Sequence, residues 1–233
     1  MKSGALIQSQ AFHGTTNPAF TKVSSWFLSS RKRVFDVLCS APLLIAALPV
    51  MAITAIAVKL TSPGPALFRQ VRTGKNGAGF EIIKFRTMAY LDNDAGPRLT
   101  QREDRRITAL GRVIRRCKLD ELPQLWNVIC GDMSLVGPRP DLPEYLANLT
   151  AEQMPMLQLR PGITSPASLR FRREEDLLTR VSSEELVSYY VNVILREKIR
   201  LELEYAEHAT FFSDLKVLFR TALTAGCGDK QQA

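Results

Sequence analysis

The chain has 233 residues, 45% of them hydrophobic, with a formal net charge of +8 and a pI of about 9.5. Such a composition excludes a disordered polymer and a protein spanning the membrane along its whole length. It leaves nucleic acid, anionic lipid and phosphorylated substrates as possible partners of one sizeable domain.

Residues 1–30 read as a loosely ordered leader, rich in Ser, Thr, Asn and Gln and lacking the apolar core and small-residue cleavage site of a signal peptide. A long apolar run follows, from Val34 to Leu60. Its length suits a membrane helix, which needs roughly 20 apolar residues. Pro42 and Pro49 interrupt it, and each removes a backbone donor. Both flanks are basic: Arg31, Lys32 and Arg33 precede it, and Lys59, Arg69, Arg72 and Lys75 follow. Positive charge favours the cytoplasmic face, and each basic residue near an anionic surface contributes about 1 kcal/mol. A helix bent at Pro49 that enters and leaves the same leaflet satisfies both flanks, so a re-entrant membrane helix is expected over residues 31–62. A kinked span is the alternative.

The rest, 63–233, is expected to form a compact cytosolic domain with membrane-surface helices. After the Ser62–Pro65 turn, two β-prone runs flank Asn76-Gly77, a hairpin signal. Gly74-Lys75 lacks the spacing of a phosphate-binding Walker loop and belongs to that turn. In "RRITALGRVIRRCKL", Ile107, Leu110, Ile114 and Cys117 share a helical face, with Arg105, Arg112, Arg115 and Arg116 on the others. Asp120 reads as the N-cap of the next helix, with Glu121 and Pro123 in its first turn and Gly131 as its stop. The tail from Ser183 to Ala225 reads as two amphipathic helices; Tyr189, Val193, Glu197 and Leu201 lie near one line of the first, whose aromatics are expected to pack in the core. The fold class is therefore α+β, mostly α, with one small β-hairpin.

Cys39, Cys117, Cys130 and Cys227 form no CxxC pair and have no histidine at zinc-ligand spacing, so they read as buried reduced thiols. His13 and His208 lie far from every motif, which disfavours histidine-based catalysis.

Paired acids beside an arginine held between prolines (Asp120, Glu121 and Arg139 of Pro138-Arg139-Pro140) suit phosphoryl transfer. A carboxylate can attack phosphorus to form an acyl phosphate, while its neighbour holds Mg²⁺. Adjacent residues on a helix do not face each other, which favours divided roles. A pre-ordered guanidinium can grip phosphate bidentately. On spacing alone, plain helix capping is the better reading of the acids.

The motifs "KRVFD", "SPGPALFRQVRTG", "KFRTM", "LDELPQLWNV", "GDMSLVGPRP" and "RPGIT", in this order from about Arg31 to Thr221, are what decides. The chain resembles the bacterial sugar transferase family, the monotopic polyprenyl-phosphate phosphoglycosyl transferases. The resemblance implies transfer of a phosphosugar from a UDP-sugar to undecaprenyl phosphate with release of UMP. This is the first membrane step of glycan assembly, in capsule, exopolysaccharide, O-antigen or glycoprotein pathways, at the inner leaflet of the bacterial cytoplasmic membrane. It implies Asp120 as the nucleophile that carries the phosphosugar and Glu121 as the Mg²⁺ ligand. Arg115, Arg139, Arg172 and Arg86 are implied to bind phosphate, and Pro49 to mark the membrane kink. The chain departs from the family pattern at Leu48, where members often carry Ser, and at "SPASLRFRR" after "RPGIT". Two other readings are distinguished from this one: an inactive, membrane-tethered basic binding module, and a glycosyltransferase that leaves the phosphate behind. The arginines surround an acid pair instead of forming a stripe with aromatics, so nucleic acid is not an expected partner. The sugar and the oligomeric state are not legible.

Overall fold

The computed structural model describes residues 23–89, 99–101, 104–147, 149–182 and 184–226. Most of the leader, the "DND" stretch at 92–94 and Cys227 lie outside the described residues. In chain order the α-helices are α1 (Ser25–Leu28), α2 (Ser30–Thr61), α3 (Ala109–Arg116), α4 (Gln124–Cys130), α5 (Pro143–Leu146), α6 (Pro166–Arg170), α7 (Glu174–Leu178), α8 (Leu186–Tyr189), α9 (Arg196–His208) and α10 (Phe211–Gly226). The strands are β1 (Leu67–Thr73), β2 (Gly79–Phe85), β3 (Ser134–Val136) and β4 (Gly162–Thr164). The fold is α+β and mostly α, as the sequence implies.

Helix α2 has 32 residues and is long and apolar enough to cross a membrane. Ser29 caps it by accepting a hydrogen bond from the Lys32 amide, and Pro42 and Pro49 both lie inside it. One narrow face turns inward and carries the buried residues Lys32, Asp36, Ser40, Thr54 and Val58. Leu38, Ile45, Leu48, Ile53, Ile56 and Leu60 on the other faces are exposed.

Both ends of α2 are tied to the same folded body. At the start, Lys32 Nζ pairs with Asp214 Oδ2 of α10 at 2.6 Å, and both side chains are buried. Asp214 also accepts from Trp26 Nε1 at 2.8 Å and Tyr205 Oη at 2.6 Å. Asp36 accepts from the Ser134 hydroxyl at 2.8 Å and the Leu135 amide at 3.2 Å. Arg33 donates to the last carbonyls of α4, Val128 and Ile129, where a cation also meets the negative end of the helix dipole. At the far end, Arg86 grips Pro63 O, Ser62 O and Ser62 Oγ. Buried charges need such partners, because unpaired they cost several kcal/mol.

Strands β1 and β2 form the expected antiparallel hairpin, Leu67 opposite Phe85 and Thr73 opposite Gly79. Asn76 (φ 58°) and Gly77 (φ 76°) take left-handed backbone at the tip, the conformation for which Asn and Gly are suited. This confirms Gly74-Lys75 as turn. A second pair escaped the sequence reading. Strands β3 and β4 lie parallel, with Ser134 opposite Gly162 and Val136 opposite Thr164. They bring "GDMSLVGPRP" beside "RPGIT". Their contact is too close for side chains: a Cβ on Gly162 would lie 2.1 Å from Gly137 N.

Two clusters make the core. One joins Ile82, Leu125, Val128, Met133, Leu135, Val136 and Val217. The other gathers Leu142, Tyr145, Leu178, Tyr190, Ile194 and Ile199. The second holds the tail's aromatics as expected, Tyr190 inside it and Tyr189 packed against it, but shifts the buried line. Tyr190, Ile194 and Ile199 are buried, whereas Val193 is exposed. The cause is a π-helical segment at Tyr190–Leu195 between α8 and α9, whose wider turn rotates the buried face off the α-helical line. The thiols are also corrected: Cys117 and Cys130 are free but exposed, and Cys39 is half-buried.

Candidate active site

The acid pair stands where four segments meet. The first is β2, which ends at Lys84-Phe85 and runs into Arg86-Thr87. The second is α3. Thr108 caps it by accepting from the Gly111 amide at 2.9 Å. Gly111 lets α3 close on the strand end, since a Cβ there would lie 2.0 Å from Thr87 O. The approach delivers Arg115 to the site, where its Nε donates to Thr87 Oγ1 at 2.8 Å and its Nη1 to Glu175 Oε1 of α7 at 3.0 Å.

The third segment carries the acids, and here the structure corrects the expected capping. Lys118 takes the left-handed conformation (φ 56°), and Leu119–Glu121 form a single 3₁₀ turn. Helix α4 begins only after Pro123 and ends at Gly131 (φ 99°), the expected stop. Asp120 therefore caps nothing. A non-glycine residue at positive φ is strained, and such strain clusters at functional sites.

The fourth segment is Gly137–Asp141, pinned on both sides of Arg139. Pro138 O accepts from the Gly162 amide at 2.8 Å, and Asp141 O accepts from the Thr73 amide at 3.0 Å. Tyr190 Oη donates to Asp141 Oδ1 at 2.7 Å. Held this way, Arg139 Nη2 donates to Glu121 Oε1 at 2.6 Å. The Arg139 side chain stays 37% exposed, so the site is not sealed at this residue.

Lys84 Nζ lies 3.8 Å from the same Glu121 oxygen. Burial raises the Glu121 pKa, but Arg139, Lys84 and Lys118 outweigh it and hold the carboxyl well below the usual carboxylate range. Burial pushes Lys84 down to about 8, helped by Arg139 and opposed by Glu121 and Asp120. Asp120 moves the opposite way from its neighbour. Burial raises its pKa first and the Glu121 charge second, against Lys84, Lys118 and Arg115. Its Oδ1 is buried and has no hydrogen-bond partner among the described residues. Two adjacent carboxyls thus differ in kind: Glu121 is a committed anion, and Asp120 is a more basic, unpartnered oxygen. Environments that push paired acids apart mark divided chemical roles.

Of the sequence-predicted residues, Asp120, Glu121, Arg115 and Arg139 come together. Arg172 lies exposed in the turn between α6 and α7. Arg86 is buried and directs its guanidinium to Ser62 and Pro63, away from the phosphate-binding role expected of it. Arg86 stands just past the strand, where the chain after α2 takes up its guanidinium, and it is Lys84, the first residue of "KFRTM", that reaches the acids. Sequence reasoning missed Lys84, although that motif was already in view. It also missed Arg72 of β1, which burial and the nearby Arg139 charge push down and whose Nε has no partner among the described residues.

The same surroundings suit a divalent cation only together with a ligand. Among the described residues no three His, Cys, Asp or Glu side chains converge to hold a metal. Mg²⁺, however, uses one or two carboxylates plus phosphate oxygens and water. The Glu121 carboxylate, beside the open face of the site, fits that donor set once a phosphate is bound.

A family model for bacterial sugar transferases matches residues 27–227. The chain belongs to the bacterial sugar transferase family. It is 40% identical to the UDP-glucose:undecaprenyl-phosphate glucose-1-phosphate transferase of Caulobacter vibrioides, over 82% of this chain and 68% of that protein. It is also 40% identical to the undecaprenyl-phosphate glucose phosphotransferase of Komagataeibacter xylinus, over 85% of this chain and 36% of that protein. With the UDP-N-acetylgalactosamine-undecaprenyl-phosphate N-acetylgalactosaminephosphotransferase of Aeromonas hydrophila it shares 34% identity, over 83% of this chain and 43% of that protein. The sugar transferase thus spans about two-fifths of its longer relatives, and the named relatives differ in their sugar.

Proposed function

We propose that this sugar transferase moves a phosphosugar from a UDP-sugar to undecaprenyl phosphate through a covalent intermediate on Asp120. The carrying observation is the contrast within the acid pair: Glu121 is locked to Arg139 and Lys84, while Asp120 Oδ1 is raised in basicity and left without a partner. In the first half-reaction Asp120 attacks the phosphorus that bears the sugar. The bond from that phosphorus to the bridging oxygen breaks, and UMP leaves with the electron pair. In the second, an oxygen of the lipid phosphate attacks the same phosphorus and the Asp120 carboxylate departs, restoring the enzyme. Atoms balance as UDP-sugar plus lipid phosphate giving UMP plus lipid-diphosphate-sugar.

Phosphoryl transfer is mostly positioning and charge stabilisation. Arg139 and Arg115 would grip the diphosphate, and Lys84 adds a positive charge beside the Glu121 oxygen that Arg139 holds. Glu121 would hold Mg²⁺ jointly with the phosphate oxygens, and the ion would supply neutralisation of the charge developing on the leaving phosphate.

The membrane reading rests on α2. Both its ends bond to the same folded body, through Lys32, Arg33 and Asp36 at one end and Arg86 at the other. Tying both ends to one body favours placing them on the same face of a bilayer, which supports a re-entrant segment, and the basic flanks favour the cytoplasmic side. The exposed Phe212, Leu215, Phe219 and Leu223 line one side of α10, with Lys216 and Arg220 beside them, a pattern suited to the bilayer surface.

The test uses protein purified into nanodiscs, with Mg²⁺, a panel of UDP-sugars and no lipid acceptor. UMP release and intact protein mass are followed together. The expected result is one UMP per enzyme with a phosphosugar adduct, both lost in Asp120→Asn. Full turnover by Asp120→Asn would rule out the covalent route.

A further inference from the structure

Strand β2 has one edge paired with β1, and its other edge faces α4. Buried N–H and C=O groups along such an edge need partners. Asn127, 2% exposed in the middle of α4, supplies them. Its Nδ2 donates to Glu81 O at 2.8 Å, and its Oδ1 accepts from the Ile83 amide at 3.1 Å. The two bonds straddle Ile82, as a residue of a parallel neighbouring strand would bond. One carboxamide therefore stands in for the peptide groups of a third strand. Asp132 Oδ2 lies 3.3 Å from Nδ2 and accepts its second hydrogen, which determines which way round the amide sits.

The consequence is a closed circuit. Ile83 precedes Lys84, whose ammonium faces Glu121. Glu121 and Asp120 lie in the turn that leads into α4. Helix α4 returns through Asn127 to the Ile83 amide. No other side chain among the described residues bonds the backbone of both Glu81 and Ile83. A shift of α4 along β2 would move the acids relative to Lys84, and a misplacement of about 1 Å can cost about a hundredfold in rate.

We propose that Asn127 is a positioning residue for the transfer reaction: by completing the edge of β2 it sets the distance between the strand that carries Lys84 and the turn that carries Asp120 and Glu121. It touches neither substrate nor reacting atoms and acts through those residues. The inference rests on the covalent reading of Asp120.

The test compares the parent protein with Asn127→Leu and Asn127→Ala in nanodiscs. Three quantities are read: the rate of adduct formation at saturating UDP-sugar, the UDP-sugar concentration for half-maximal rate, and deuterium uptake by peptides covering residues 80–86, with thermal melting to verify assembly. The expected result is adduct formation slowed at least tenfold, half-saturation within about threefold of parent, and faster exchange of the β2 peptide, in protein that melts cooperatively. A purely structural role would instead lower the fraction of protein that forms adduct while leaving the rate of that fraction unchanged, and this outcome would overturn the proposal. So would parental adduct rates in a variant whose β2 peptide exchanges faster, which would leave the covalent reading standing. If neither variant assembles, Asn127 is a folding residue and the proposal also fails. No adduct in the parent protein, with β2 protected by Asn127, would instead overturn the covalent reading.

Discussion

Arg139 Nη2 and Glu121 Oε1 meet at 2.6 Å across 18 residues of sequence. The pair joins the segment pinned by Gly162 and Thr73 to the turn that bears Asp120. It leaves the guanidinium partly open. An arginine in this position can hold the glutamate and still present N–H groups to a phosphate.

Replacing Arg139 with Lys keeps the charge and removes the planar fork. Arg139→Lys is expected to lower kcat/KM for UDP-sugar by roughly a hundredfold, the scale seen when a positioned charge-stabilising donor is lost. Steady-state UMP release measures it. Activity within threefold of parent would mean that point charge alone suffices at this position.

The pH profile should carry the signature of Lys84. Its ammonium loses its proton as pH rises through about 8, so activity that depends on that charge falls on the alkaline side with a limb near 8. Lys84→Arg, charged throughout, should move the limb upward, and Lys84→Met should remove the limb along with most of the rate. On the acid side, activity should fall at a higher pH than an ordinary aspartate would give, because burial raises Asp120. An alkaline limb unchanged in Lys84→Arg would assign it to another group.

Glu202 of α9 offers a stability test away from the acid pair. It is buried, and burial pushes it from 4.5 up to about 7 against the pull of nearby Ser165, Lys198 and the Ala167 amide. A carboxyl whose folded pKa is raised costs nothing below its unfolded value, where both states hold the proton. Its cost grows as pH rises from about 4.5 to 7 and is complete above that. The pKa difference corresponds to about 3 kcal/mol at pH 8. Glu202→Gln should therefore melt higher than parent at pH 8, and the advantage should vanish near pH 4.5. A lower melting temperature for Glu202→Gln at pH 8 would show that the carboxylate's bonds outweigh its burial.

Much of the site was legible because its signals are local. The hairpin tip needs only Asn76-Gly77, whose backbone tolerates positive φ, and the stop of α4 needs only Gly131. The Asp120–Glu121 pair and the arginine between prolines are covalent neighbours in each case. Capping was misread for a reason of the same scale. Asp before Glu and Pro resembles a helix start, but Lys118 reverses the backbone and spends the acids in a separate turn.

The amino-acid sequence by itself determined which segments would be helix, hairpin or membrane-seeking, and that paired acids and arginines of phosphoryl-transfer type were present. Those properties depend on backbone preferences and apolar content within a few residues. Only the tertiary structure decided that Lys84 and not Arg86 faces the acids, that Tyr190 and not Tyr189 is buried, and that Asp120 and Glu121 carry opposite shifts. Each of these turns on which groups from distant segments share a dry space. Burial and charge act over a few ångströms in three dimensions, and they are indifferent to separation along the chain.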